Sequence, residues 1–377
     1  MHWTTALAAA VLAAAARPAH ALLRFSCSQL VVDRIDPLVN PDQAPSPHLH
    51  QIVGGNALNL TMDRTGRIPE QATCTTCTFA DDFSNYWTAV LYFRARNGTF
   101  RRVPQLGNVF FEQARQGGMS IYYIPTIGSM PSAGAVTAFK PGFRMLVGNP
   151  NFRTQQEASQ FRQLTYTCMR NPNDRSGETM HFPRQPCRAG IMANVRFPTC
   201  WDGKNLDSPD HMSHVSYPAG GTFERNSPCP ATHPVKIPQL FYETVWDTRP
   251  FNNRADWPED GSQPFVWSFG DPTGFGTHAD YVFGWKGDAL QKAMDSNCVS
   301  CPQLKSQTIQ QGNQCVKERI VKEDIDGWET AASVPTRTRK SQFTTATKDD
   351  TRRVEEGTEG IPIIKFSKYV TSVWQWE

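Results

Sequence analysis

After its first twenty-one residues the chain has no long apolar run, and nothing there approaches the ~20 apolar residues that a membrane-spanning helix needs. The carboxyl end, "YVTSVWQWE", is too short and polar for a lipid-anchor signal. Charge of one sign is also scarce. Lys and Arg number 38 against 35 Asp and Glu, a formal net charge of +3, and the basic residues are scattered. That excludes the clustered cations through which proteins hold nucleic acid. Long helical periodicity is rare. There is no HExxH zinc-protease signature and no GxSxG nucleophile elbow. The "GFG" at Gly274 lacks the third glycine and flanking strand of a dinucleotide loop.

What is present points outward from the cell. Residues 1–21 read as a secretory signal, with an Ala/Val/Leu run, a small-x-small cleavage pattern at Ala19-His20-Ala21, and Leu22 as the mature start. All ten cysteines follow it: Cys27, Cys74, Cys77, Cys168, Cys187, Cys200, Cys229, Cys298, Cys301 and Cys315. An even count in a secreted chain predicts disulfides, even though two pairs have the C-x-x-C spacing of zinc or redox sites. The sequons Asn59-Leu60-Thr61 and Asn97-Gly98-Thr99 fit that setting.

Prolines and glycines punctuate the chain, and short runs rich in aromatic and β-branched residues lie between them. "YWTAVLYFRA" from Tyr86, "MSIYYIPTI" from Met119, "FRMLVG" from Phe143, "IPQLFYETVW" from Ile237 and "PFVWSF" from Pro264 read as strands. "FFEQARQ" near Phe110, "NFRTQQEASQFRQL" from Asn151 and "KGDALQKAMDS" from Lys286 are the best helices. The expected fold is mainly β (β-rich α+β), a disulfide-stabilised single domain of sandwich or jelly-roll type with long loops, over residues 22–301. Residues 302–377 read as a polar extension, with a hydrophobic end, "IPIIKFSKYVTSVWQWE", placed to dock on the core.

The candidate chemistry lies in loop-like segments. "FPTCWDGKNLDSPDHMSHVSYP", from Phe197 to Pro218, gathers three Asp, two His, a Lys and a Trp, and its prolines stop it being one helix. His48 and His50 share one face if that piece is extended. His211 and His214 stand three apart beside Asp210, and His278 lies two residues before Asp280. Imidazole and carboxylate suit zinc or copper, so His48, His50, His211, His214 and His278 are candidate metal ligands. Asp207, Asp210 and Asp280 are candidate acids or bases, with His211, His214 and His278 as their partners. Against this stands a plainer account, in which carboxylates cap turns and imidazoles tie loops together. Tyr86, Trp87, Trp201 and Trp285 offer rings for stacking on sugars, with Lys204 and Asn205 to hold hydroxyls, although tryptophans mostly fill cores.

Five blocks carry a resemblance. "RIDPLVNPDQAPSPHLHQIVGGN", "DFSNYWTAVLYFRARNGTFRRVPQ", "FPTCWDGKNLDSPDHMSHVSYP", "CPATHPVKIPQLFYE" and "GDPTGFGTHADYVFGWKGD" resemble, in order, a secreted and mostly fungal family, also found in bacteria, known as a domain of unknown function, DUF1996. The resemblance covers about Arg34 to Cys298 and implies no activity. It implies that the quoted segments belong together. The expected function is therefore an extracellular enzyme acting on polysaccharide or cell-wall glycan through one His/Asp-rich centre, either glycoside hydrolase-like or metal-dependent. The alternatives are a non-enzymatic wall or carbohydrate-binding protein, and an extracellular metal-binding protein.

Overall fold

The computed structural model describes residues 23–125, 136–174, 177–220, 227–296 and 301–326, with the backbone of Trp328–Glu329. The predicted signal segment, Cys298 and the hydrophobic C-terminal stretch lie outside the described residues. Every described residue belongs to one compact unit within Met1–Thr338.

That unit is mainly β. One antiparallel sheet has seven strands, in the order Leu23–Cys27, Met119–Ile124, Gln239–Trp246, Ile191–Arg196, Leu164–Cys168 and Glu178–Thr179, with Gln105–Leu106 also paired to Gln239–Trp246. A second has five: Gln29–Asp33, His50–Gly54, Asn85–Ala89, His278–Val282 and Arg144–Gly148. The sequence explains why they stack. Alternation along the strands turns Phe25, Ile121, Tyr123, Leu240 and Tyr242 of the larger sheet toward Val53, Tyr86, Met145, Val147, Ala279 and Tyr281 of the smaller, and all are buried in one cluster. The expected sandwich is thus present.

The run "YWTAVLYFRA" is not a single strand. Asn85–Ala89 stays in the five-stranded sheet, and after Val90 the chain crosses to a smaller sheet, where Leu91–Arg94 pairs with Phe265–Trp267 and Phe100–Arg102. "FFEQARQ" is not a helix. Phe110 has φ +71°, which no right-handed helix admits, and the segment makes successive turns. "KGDALQKAMDS" is helical over Ala289–Asp295, and only Gln155–Ala158 of "NFRTQQEASQFRQL" is an α-helix, followed by a 3-10 turn.

Disulfides join Cys27–Cys77, Cys74–Cys315, Cys168–Cys187 and Cys200–Cys229, and Cys301 is disulfide-bonded too. Cys74 and Cys77 thus go to different partners, so their C-x-x-C spacing is neither a zinc nor a redox motif. Beyond Cys301 the chain stays on the core: the Ile320 and Val321 N–H groups donate to the Asp33 carboxylate, and Trp328–Glu329 pairs with Phe100–Arg102.

Candidate functional site

The five-stranded sheet has a second face, turned away from the sandwich interior. Strand register sets Ile52, Trp87, Asp280 and Leu146 in a row across it, with His50 beside Ala89 and His278 beside Gly148 in the next row. The chain after Gln29–Asp33 folds back over this face, burying Ile35, Leu38, Leu58, Met62 and Ile68 against Ile52, Trp87 and Val282. A polar centre is sealed beneath it. Gly148 is required here: at φ +88° a Cβ would lie 2.1 Å from the Thr277 carbonyl oxygen and 2.7 Å from the His278 Cα.

Three imidazoles converge in this centre. The ligand-bearing atoms of His48, His50 and His278 lie within 4.8 Å of one another, and all three side chains are buried. The rings of His48 and His50 are 4.2 Å apart, as period-two alternation predicts. His50 Nδ1 donates to the Ile35 carbonyl (2.8 Å) and His278 Nδ1 to the Gly276 carbonyl (3.1 Å). Each ring therefore carries its proton on Nδ1 and turns a bare Nε2 inward. Among the described residues His50 Nε2 has no protein partner, and His278 Nε2 is 3.1 Å from His48 Nε2. Burial pushes the His50 and His278 imidazoles down to about 4 and that of His48 well below its usual value, so all three are neutral at pH 7. Phe269 closes one side, 4.9 Å from the His278 ring.

Two buried carboxyls attend them. Asp280 shares a strand face with His278, and among the described residues neither of its oxygens has a hydrogen-bond partner. Burial, then Asp36, pushes it well above the usual carboxylate range. Asp36 accepts from the Leu38 and Val39 N–H groups, is itself raised by burial, and interacts electrostatically with His278. Asp36 was missed in the sequence because nothing in "RIDPLVN" marks it as buried.

The "DHMSH" loop is a different assembly, tied along the edge strand Arg144–Gly148. Asp207 Oδ1 pairs with His211 Nδ1 at 2.6 Å, and Asp210 accepts from Ser208 Oγ and from the Met212 and Ser213 N–H groups. His214 is buried between Ser208 Oγ and the Arg144 carbonyl. Burial raises Asp207 and Asp210, but the bonds from His211 and from the Ser213 and Met212 amides outweigh it and hold both carboxyls low. Asp202 caps the turn at Lys204 and Asn205, and the Asn205 carbonyl in turn accepts from the Trp201 indole. These are largely bonds that fix a loop. Among the described residues, neither His211 nor His214 joins the three-imidazole group.

The predicted stacking rings are core residues. Tyr86, Trp87, Trp201 and Trp285 are all buried, which leaves no open face for a sugar. Lys204 and Asn205 are exposed, on the turn that the Trp201 indole ties down through the Asn205 carbonyl.

Among the described residues no helix is long and apolar enough to cross a membrane. No curated protein and no solved structure matches the chain. A family model does, over residues 36–285, a span that holds His48, His50, His278, Asp36 and Asp280. The chain belongs to the family described as Domain of unknown function (DUF1996).

Proposed function

We propose that this is an extracellular metal-binding protein in which His48, His50 and His278 hold a zinc or copper ion. The observation that carries this reading is the convergence of three neutral imidazoles, two of them with Nδ1 committed to backbone carbonyls and Nε2 turned inward. That is how proteins orient metal-binding histidines, and nitrogen donors select zinc and copper over magnesium or calcium. The disulfides favour an oxidising, extracellular setting.

Polysaccharide cleavage at this centre is less well supported than metal capture. His48, His50 and His278 are each under a tenth exposed, and a polymer has no approach to groups so deeply covered. The test is elemental mass spectrometry of the secreted protein, made without a His tag, before and after zinc or copper addition and dialysis. Near-stoichiometric metal that disappears in His50→Ala and His278→Ala but persists in His211→Ala supports the reading. Failure to retain any metal overturns it.

A further inference from the structure

The outer face of the seven-stranded sheet carries a row of its own. Register places Arg24 beside Tyr122, Tyr122 beside Phe241 and Phe241 beside Arg196, with Ser120, Glu243 and Asn194 in the next row. A groove of about 480 Å³ opens here, lined by Arg24, Phe110, Tyr122, Glu178, Arg196 and Glu243.

The two guanidiniums differ. The Arg196 fork is filled by Glu178, at 2.8 and 3.0 Å. Arg24 makes no ion pair among the described residues. Its Nε donates to the Tyr122 hydroxyl (2.8 Å) and one Nη to the Val109 carbonyl (3.0 Å), while the Phe111 ring sits 4.6 Å from its Cζ. Among the described residues one Nη has no hydrogen-bond partner, and the Glu243 carboxylate reaches this guanidinium only through the Tyr122 hydroxyl. At the rim Phe110 is 78% exposed, in the left-handed backbone region that bulky side chains avoid. Glu243 accepts from the Tyr122 hydroxyl and Asn108, both at 2.6 Å.

We propose that this groove binds a carboxylate-bearing sugar unit of an acidic glycan, with Arg24 taking the carboxylate and Phe110 stacking on the ring. Guanidinium matches carboxylate geometrically, an aromatic ring matches the C–H face of a pyranose, and Glu178 and Glu243 accept from hydroxyls. An acidic peptide fits less well. The groove crosses the face of a sheet rather than an edge, so it offers no unpaired backbone to a strand.

Calorimetric titration of the whole secreted protein, with EDTA present so that metal plays no part, tests this. The ligands are an oligogalacturonate, a neutral cello-oligosaccharide of equal length, and poly-glutamate. The oligogalacturonate should bind best. Arg24→Gln should weaken it about tenfold or more, the worth of a charge-assisted hydrogen bond, and Phe110→Ala should weaken it severalfold. Phe110 is so exposed that its variant keeps the test alive if Arg24→Gln does not fold. Absent oligogalacturonate binding, equal binding of the neutral oligosaccharide, a preference for poly-glutamate, or undiminished affinity in the folded variants would each overturn the proposal.

Discussion

Nε2 of His48 and Nε2 of His278 face one another at 3.1 Å in a buried site. Because the His278 proton is on Nδ1, facing Gly276, the hydrogen shared between the two Nε2 atoms comes from His48. A metal ion would replace that single proton. With His50 and His278 pushed down to about 4, protons do not compete for the folded site until pH approaches that value. Metal should therefore raise the melting temperature by a nearly constant amount from pH 7 to about 5, with the gain fading near 4 and absent in His278→Ala. The metal-free protein behaves differently. Its imidazoles have folded pKa values below the unfolded 6.5, so the stability they contribute is present above 6.5 and is lost as pH falls toward about 4. Thermal melts of loaded and metal-free protein across this range check both statements. Identical melting temperatures at pH 7 would sink the metal reading.

Asp82 should produce the opposite slope. It is completely buried, accepts from the Tyr86 hydroxyl (2.5 Å) and the Ser84 N–H (3.0 Å), and burial pushes its carboxyl up to about 7. A raised folded pKa means that the native state holds the proton longer than the unfolded chain. The stability it contributes is complete below about 3.8 and is lost as pH rises through about 7. Asp82→Asn cannot ionise. Relative to the parent it should gain about 4 kcal/mol between pH 4 and 7, at 1.36 kcal/mol per pKa unit. Denaturant unfolding of both proteins at several pH values measures that gap, and a gap that stays flat contradicts the assignment.

Two histidines of one loop should separate by role. His214 is buried, and its Nε2 donates to the Arg144 carbonyl, so His214→Ala leaves a buried acceptor unmet and opens a cavity. The expected loss is about 3 kcal/mol. His211 is partly exposed in its pair with Asp207, and His211→Ala should cost about 1 kcal/mol. Both variants should keep the metal content of the parent. Denaturation midpoints and elemental analysis decide, and loss of metal from either would extend the centre to this loop.

The aromatic and β-branched runs made the sandwich legible, because burial on both faces of a sheet selects those residues. The cysteine count made the disulfides legible, and the five ordered blocks identified the family. The strand His278–Val282 was hidden. "HADYV" puts a histidine and an aspartate on a fully buried face, so it reads as a loop by hydropathy although it is the fourth strand of the five-stranded sheet. His48 and His278 are 230 positions apart, and only the register of three paired strands brings them together. The densest polar segment misled for the converse reason. The Asp202, Asp207 and Asp210 carboxylates are spent within a few residues of themselves, on local turn bonds that look like a site in one dimension. The groove at Arg24 gave no signal, since its residues come from separate strands and alternate with core positions.

The Cys74–Cys315 bridge closes a loop of 241 residues and fastens the segment after Cys301 beside Gln29–Asp33. Chain-entropy arguments give a bridge of that span about 5 kcal/mol of stabilisation, most of it through the unfolded state. The paired substitution Cys74→Ser and Cys315→Ser should lower the unfolding free energy by up to that amount. It should also act locally, because the segment around Ile320 otherwise holds to the core through hydrogen bonds to Asp33 and an Arg34–Glu323 ion pair. Hydrogen exchange in residues 316–326 should then rise well before that of the strand His278–Val282, and the metal content should be unchanged. Uniform loss of protection across both would mean that this segment unfolds only with the whole sandwich, and that the bridge acts on the unfolded chain alone.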